Sequence, residues 1–425
     1  MKNATMAFTV FASAAAMAAV VPRVTKATFS QAGLRTVTIN YTIADAPAIV
    51  TVDIQTNGIS IGAQNFWNVE GDVNCRVDVG DHAITWCPHE SWPNNYVPLT
   101  ENGGARAVVT AWALDNPPDY IVADLGKVGA LRYYTSTNAF PGGLLDNPVY
   151  RTSYLVMKKI KAKNIPWTMG TGNGAHVVTL TNDFYMSVFE VTQGQWWTVK
   201  GDSDSKTKFS YPGDILMRPV DWVTYDDVRG DRNPWPKATL TDSFAGVIRT
   251  RTGLDVDLPG ESHWEYAARG GNVEGNWGNG VPYGGDERDA SLPGRYRYNG
   301  GCDGNDYSAT ITYDMAYQYS AEKGTALVGS YAPNSFGLYD MNGNVWEMCL
   351  DFHTSGLAAL EGRLNINADG SASYDGLETV LRVLRGGCIS SSAKECRPTS
   401  RARTLRAMVS GFPTGVRLVC PIPGN

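Results

Sequence analysis

Apolar and polar residues alternate with period two through "TVTINYTI" (36–43) and "AIVTVDIQTN" (48–57), with the turn-forming "ADAP" between them. "HAITW" (82–86) and "ARAVVTAWAL" (105–114) continue the alternation, and "NPP" follows. Several short strands punctuated by turn signals predict an all-β unit over residues 22–125, a sandwich of the immunoglobulin or fibronectin type. Residues 126–163 carry "AFPGGLLDNP", which reads as a linker. They then carry "SYLVMKKIKA", a lead-in strand to the next unit.

From about residue 164 the strict alternation gives way to aromatic-rich segments separated by Gly/Asp/Asn loops. A few helices are marked by their ends. "TQGQWWTVKG" (192–201) opens with Thr192 and Gln195 in capping-box spacing and stops at Gly201. Thr224 and Asp227 repeat the device in "TYDDV". "ESHWEYAARGG" (261–271) puts Trp264, Ala267 and Ala268 on one face and ends at a double glycine. Little of the remainder has a regular period, so its core must rest on scattered aromatics and bound ions.

Composition narrows the setting. Of 425 residues only 18% are charged, against 45 Gly and 12 Trp, which suits a loop- and strand-rich extracytoplasmic protein. The formal net charge of -6 gives nucleic acid no general attraction to the surface. Lys2 precedes an apolar run from Ala7 to Val21, and "AMA" at 16–18 supplies the small residues read by a signal peptidase. We therefore expect residues 1–18 to be a signal peptide and the chain to be exported, whether secreted, periplasmic or surface-bound. The run is shorter than the about 20 apolar residues of a bilayer span, and no later segment has the character of a transmembrane helix.

Seven cysteines (75, 87, 302, 349, 388, 396 and 420) in an exported chain permit disulfides, and the odd number leaves one thiol over. There is no CxxC pair. Cys75, His82, Cys87 and His89 cluster in sequence, and a Cys75–Cys87 disulfide or two core thiols explain them more simply than zinc. The five His show no HExxH spacing, and GxSxG and GxxxxGK[ST] are absent.

Seven ordered stretches carry a stronger signal: "WTMGTG" (167–172), "FYMSVFEVTQGQWW" (184–197), "RPVDWVTYDDV" (218–228), "LPGESHWEYAARGG" (258–271), "GSYAPNSFGLYDMNGNVWEMCLD" (329–351), "RVLRGGCISSSAKECRPTSRAR" (382–403) and "GVRLV" (415–419). In that order they resemble the formylglycine-generating enzyme family, the sulfatase-modifying factor domains, over about residues 150–421. The resemblance implies an α+β domain of low secondary structure over 164–421, related to the C-type lectin fold and stabilised by calcium. It also implies where the metals would sit.

By that resemblance, "DMNGNVWE" wraps a structural calcium through the Asp340 and Glu347 carboxylates and the Gly343 and Val345 carbonyls. The chemistry agrees, since a hard cation takes several oxygens from an irregular loop and two carboxylates balance its charge. A metal-free turn with both acids bonded to backbone amides is the simpler alternative. A second family calcium site maps poorly: Asn299 matches one ligand, but Ser320 stands where an Asp is expected. Active relatives oxidise a sulfatase cysteine with oxygen and copper(I) held by two thiolates spaced C-x4-C. Here Cys396 matches the second position and Ser391 the first. A neutral hydroxyl cannot replace a soft thiolate on copper(I). Cys388 lies three residues before Ser391 and in an extended segment would face the other way.

The sequence thus points to an exported member of the family that binds a protein, peptide or glycan rather than oxidising one. Ser391, Arg397, Arg401 and Arg403 are the candidate contacts; with Arg406 the arginines could equally form a solvated or ion-pairing face. Cys396 would be the catalytic residue under the rival reading, a copper- and oxygen-dependent oxidase. A third reading takes "CISSSAKECRPTSRARTL" as a retroelement-diversified binding surface.

Overall fold

The computed structural model describes residues 20–32, 36–92, 104–172, 175–201, 215–230, 239–271, 288, 291–300, 324–353, 381–405 and 413–422. The export signal, Cys302, Ser320 and Arg406 lie outside the described residues.

The N-terminal region is β-rich. One antiparallel sheet contains Arg23–Ala32, Thr36–Ala44, Gly80–Trp86 and Val69–Gly71, and a second contains Ala48–Thr56 flanked by Ile59–Ser60, Cys75–Val77 and Arg106–Trp112. The period-two reading holds residue by residue: Val37, Ile39, Tyr41 and Ile43 point inward and meet Val50, Ile54, Ile84 and Trp86 in one core. Of the two readings of Cys75 and Cys87, the structure has the unpaired thiols, each half-buried rather than in the core, and not the disulfide. His82 turns away from both, with Nδ1 2.8 Å from Asp72 and its ring stacked on Tyr41.

Tyr120–Asp124 lies inside the expected sandwich but pairs instead with Tyr154–Ile160. It belongs to a five-stranded antiparallel sheet ordered Leu131–Tyr134, Tyr120–Asp124, Tyr154–Ile160, Phe184–Ser187, Val419–Pro421. The change of region therefore falls between Trp112 and Tyr120, at "NPP", where proline ends a strand. The expected linker contributes Leu131–Tyr134 to this same sheet, and the Tyr133 amide donates to the Asn74 carbonyl at 2.7 Å, joining the two regions.

The rest is α+β. A second sheet orders Ala402–Leu405, Leu381–Arg385, Trp346–Phe352 and Thr414–Gly415, the last pair parallel. Both capping boxes form: Thr192 and Gln195 exchange bonds ahead of helix Gln193–Lys200, and Thr224 and Asp227 do so ahead of Tyr225–Arg229. Helix Glu261–Ala268 buries Trp264, Ala267 and Ala268 as its spacing predicts. Helix Phe244–Thr252 was not evident from the pattern; its Phe244 stacks on Trp196 at 4.4 Å between centroids.

Thr192 is fully buried at its cap. Thr192→Ala strands the Gln195 amide and should cost about 1–2 kcal/mol. A lowered melting temperature of the full chain checks this; an unchanged one would contradict the cap's role.

Candidate functional site

Strand Leu381–Arg385 ends at Gly386 and Gly387, both at positive φ, and a Cβ on Gly387 would lie 2.6 Å from Cys396 Sγ. This bare backbone lets the chain double back over Cys396. The segment after it is a tight turn, not an extended strand. The Ser391 amide donates to the Cys388 carbonyl at 2.9 Å, and the Cys388 amide donates to Ser391 Oγ at 3.2 Å. Cys388 Sγ therefore sits 3.7 Å from Ser391 Oγ rather than on the opposite face. The expectation failed because a run of small residues was read as extended when it is folded as a turn.

Cys396 is fully buried. Burial, then the neighbouring Cys388 and Glu395, push its thiol well above the usual range. It is an enclosed sulfur that keeps its proton when no metal is bound, and copper(I) would have to displace that proton. Ser391, buried beside Cys388, offers a hydroxyl already engaged by the Cys388 amide. The pair does not fit copper(I). With Ser391 in place of one thiolate, and with no disulfide and no metal-holding group of three or more His, Cys, Asp or Glu among the described residues, the chemistry argues against copper-dependent oxidase activity.

What the turn does build is a cleft of about 520 Å³, lined by Arg297, Trp346, Ser392, Lys394, Glu395, Arg397, Ser400, Arg401 and Ala402. Of the candidate contacts, Arg397 and Arg401 line it, Ser391 is buried behind it, and Arg403 is exposed on strand Ala402–Leu405 outside it. Four cations face one carboxylate. Each guanidinium is oriented by the fold: Arg297 Nε donates to the Ser390 carbonyl at 2.9 Å and Arg397 Nε to the Lys394 carbonyl at 2.9 Å. Arg401 forks onto Glu261 at 2.5 and 2.9 Å. Burial alone would raise the Glu261 carboxyl, but Arg385 and Arg401 hold it below its ordinary range. Arg385, itself fully buried, is paired with Glu261 at 2.8 Å and Glu265 at 2.5 Å.

Beneath the cleft lies the "DMNGNVWE" loop. Asp340, Gly343 and Asn344 all have positive φ, and a Cβ on Gly343 would lie 2.2 Å from the Arg295 carbonyl oxygen. Asn342 Nδ2 donates to the Cys396 carbonyl at 2.8 Å, joining loop to cleft. Two residues that sequence reasoning missed close the loop. Glu190 accepts from Asn344 Nδ2 at 2.6 Å and from the Val345 amide at 3.2 Å. Arg417 clasps Glu347 at 2.8 and 3.0 Å, and Trp264 Nε1 donates to Glu347 at 2.6 Å. The available signal was a charge inside an apolar run, as in "VFEV" and "GVRLV".

Glu190, Asp340 and Glu347 are three buried acids; Arg417 faces all three, and Arg151 also acts on Asp340. Burial, then Asp340 and Glu347, raise Glu190 well above its usual range; burial pushes Asp340 up to about 6. Asp340 Oδ2 accepts the Gly329 amide at 2.6 Å, whereas its buried Oδ1 has no partner. For a calcium ion the set fits in part: Asp340 has an oxygen to give, while Glu347 is spent on Arg417 and Trp264. Asn299 closes its own turn with Tyr296 and Gly294.

A family model described as the sulfatase-modifying factor enzyme 1-like domain matches residues 156–422. The chaperone protein LppX of Paenibacillus barcinonensis is 29% identical over 197 residues, 42% of this chain and 65% of its own length. The formylglycine-generating enzyme of Streptomyces coelicolor is 31% identical over 224 residues, 51% of this chain and 58% of its own. The chain thus spans less than two thirds of the length of either. The solved structure of PvdO from Pseudomonas aeruginosa aligns with TM-score 0.44 and 22% identity, over 63% of this chain and 94% of that one.

Removing one partner of a buried ion pair costs about 3–5 kcal/mol. Arg417→Met takes the guanidinium from Glu190 and Glu347 and leaves Asp340 only Arg151, whereas Glu347→Gln leaves Arg417 with Glu190 and Asp340. Arg417→Met should therefore be the more destabilising of the two in thermal melts. Equal or reversed effects would contradict the charge count.

Proposed function

The chain belongs to the sulfatase-modifying factor enzyme 1-like family, and we propose that it is an exported, non-oxidase binding member whose cleft takes an acidic protein, peptide or glycan segment. The observation that carries this reading is the lining of that cleft: Arg297, Lys394, Arg397 and Arg401 around Trp346, with Glu395 the one acid. Oriented guanidiniums pair carboxylate, sulfate or phosphate groups in forked geometry. The buried Trp346 indole closes the floor behind them. The ligand is held by charge and shape, and no bond need be made or broken. The scaffold is the C-type-lectin-related one expected of the family, and the N-terminal β-rich region, read as an immunoglobulin- or fibronectin-like sandwich, serves as a spacer or adhesion module. Among the described residues no helix is long and apolar enough to cross a membrane.

Calcium belongs to the same reading as a structural ion. Asp340 and the Gly343 and Val345 carbonyls would hold it, with Glu347 contributing charge. Its support is the unpartnered Asp340 Oδ1 and the gathering of three buried acids around it. A divalent ion would bind the folded chain alone, adding about 2.7 kcal/mol at a hundredfold excess over its dissociation constant. Chelation should lower the melting temperature of the wild type and leave Asp340→Ala unmoved; a wild type indifferent to chelator would remove calcium from the account.

The cleft is tested by calorimetric titration of the full chain with a polyglutamate peptide and with a sulfated heparin hexasaccharide. At least one should bind, more weakly as salt rises. Lys394→Ala and Arg397→Ala should each cut affinity by about fivefold to tenfold, that is about 1.0–1.4 kcal/mol. Binding of neither, or binding indifferent to both substitutions, would overturn the reading.

A further inference from the structure

A second cleft, of about 680 Å³, opens where the N-terminal β-rich region meets the α+β region. That volume lies within the roughly 300–1,000 Å³ of small-ligand sites. Its lining comes from four separated stretches: Gln64 and Trp67, Tyr120, the segment 137–146, and the loop 333–339. No part of the chain makes it alone. The hydrogen bond from the Tyr133 amide to the Asn74 carbonyl helps hold the two sides together.

The chemistry of this lining is the reverse of the first cleft's, because no Lys or Arg contributes to it. Trp67, 36% exposed, belongs to none of the apolar cores and presents its ring at the rim. Tyr120 and Tyr339 bring two phenols together. Burial, then Asp119 and Tyr339, push the Tyr120 hydroxyl up to about 12, so it stays a neutral donor. Gln64 and Asn138 are exposed amides that donate and accept at once. Asp146 is exposed above Gly143, and a Cβ there would lie 3.1 Å from its Oδ2. Gly142 and Gly143, at φ 77° and 79°, leave the wall free of side chains at that point.

From this arrangement we propose that the interregion cleft is a binding site for a short neutral oligosaccharide, separate from the cationic cleft. A pyranose ring has an apolar face of axial C–H bonds, which suits stacking on an indole. Its edge is a row of vicinal hydroxyls, each donor and acceptor, which suits amides, phenols and a carboxylate. A wholly apolar ligand would strand Asp146, Asn138 and the phenols without partners. An anionic ligand would find Asp146 and no cation. Because both regions supply contacts, the bound sugar also cross-links them and stabilises their contact by mass action.

The test uses the full chain and three neutral probes, cellohexaose, chitohexaose and maltohexaose, each titrated by calorimetry and by saturation-transfer NMR. At least one should bind saturably and raise the melting temperature. Trp67→Ala should weaken it by about tenfold, and Asp146→Ala by a comparable factor, while Trp67→Phe, which keeps a ring, should retain most of the affinity. Both side chains are exposed, so the variants should melt as the wild type does without sugar. Excess polyglutamate should not compete, which separates this site from the cationic one. Failure of all three sugars to bind, or binding untouched by both Trp67→Ala and Asp146→Ala, would overturn the proposal and leave the cationic cleft's reading intact.

Discussion

The Arg417–Glu347 ion pair is the interaction around which the α+β region is arranged. Both side chains are buried, and a buried charge is tolerated only when paired and fully hydrogen-bonded. Arg417 meets that condition by reaching the Ser187 and Val188 carbonyls of the five-stranded sheet and the Tyr339 carbonyl of the loop, besides Glu347 itself. Glu347 meets it by accepting from Trp264 on helix Glu261–Ala268 as well. One guanidinium thus fixes two sheets, a helix and an irregular loop relative to one another. With so little regular secondary structure to impose order, polar groups with fixed directions take over that work.

The cleft depends on the same frame. Arg385 sits at the end of its strand with Glu261 and Glu265 on one side and the Pro398 and Ser400 carbonyls on the other. Glu261 then spends its remaining capacity on Arg401 at the cleft wall. A buried acid with two cations therefore orients a cation at the rim, and Asn342 ties the floor to the Cys396 carbonyl. Behind this basic surface lie the buried Ser391 and Cys396.

The parts of this structure that were legible in sequence are those governed by local rules. Period-two alternation placed Thr36–Ala44 and Gly80–Trp86, and Thr-x-x-Gln and Thr-x-x-Asp spacing placed two helix starts. The convergence of Glu190, Trp264, Glu347 and Arg417 was not legible, because the chain brings them together from far apart, as at the Arg417 bond to the Ser187 carbonyl 230 residues away. A lone charge in an apolar run announces that a partner exists without saying where. The turn at Cys388–Ser391 was misread for a related reason: small residues suit a strand or a turn equally, and the Ser391 hydroxyl that caps the Cys388 amide decides between them. Tyr120–Asp124 has strand character that local pattern cannot assign to one sheet or another.

The central claim, that this member binds without oxidising, is tested most directly by incubating reduced, copper(I)-loaded full-length protein with oxygen and a cysteine-containing sulfatase peptide. Mass spectrometry then reads conversion of the peptide cysteine to formylglycine. With Ser391 a hydroxyl and Cys396 a buried, protonated thiol, the account predicts no conversion by the wild type. It predicts copper(I) binding gained only on Ser391→Cys. Turnover of the peptide by the unaltered protein would contradict it.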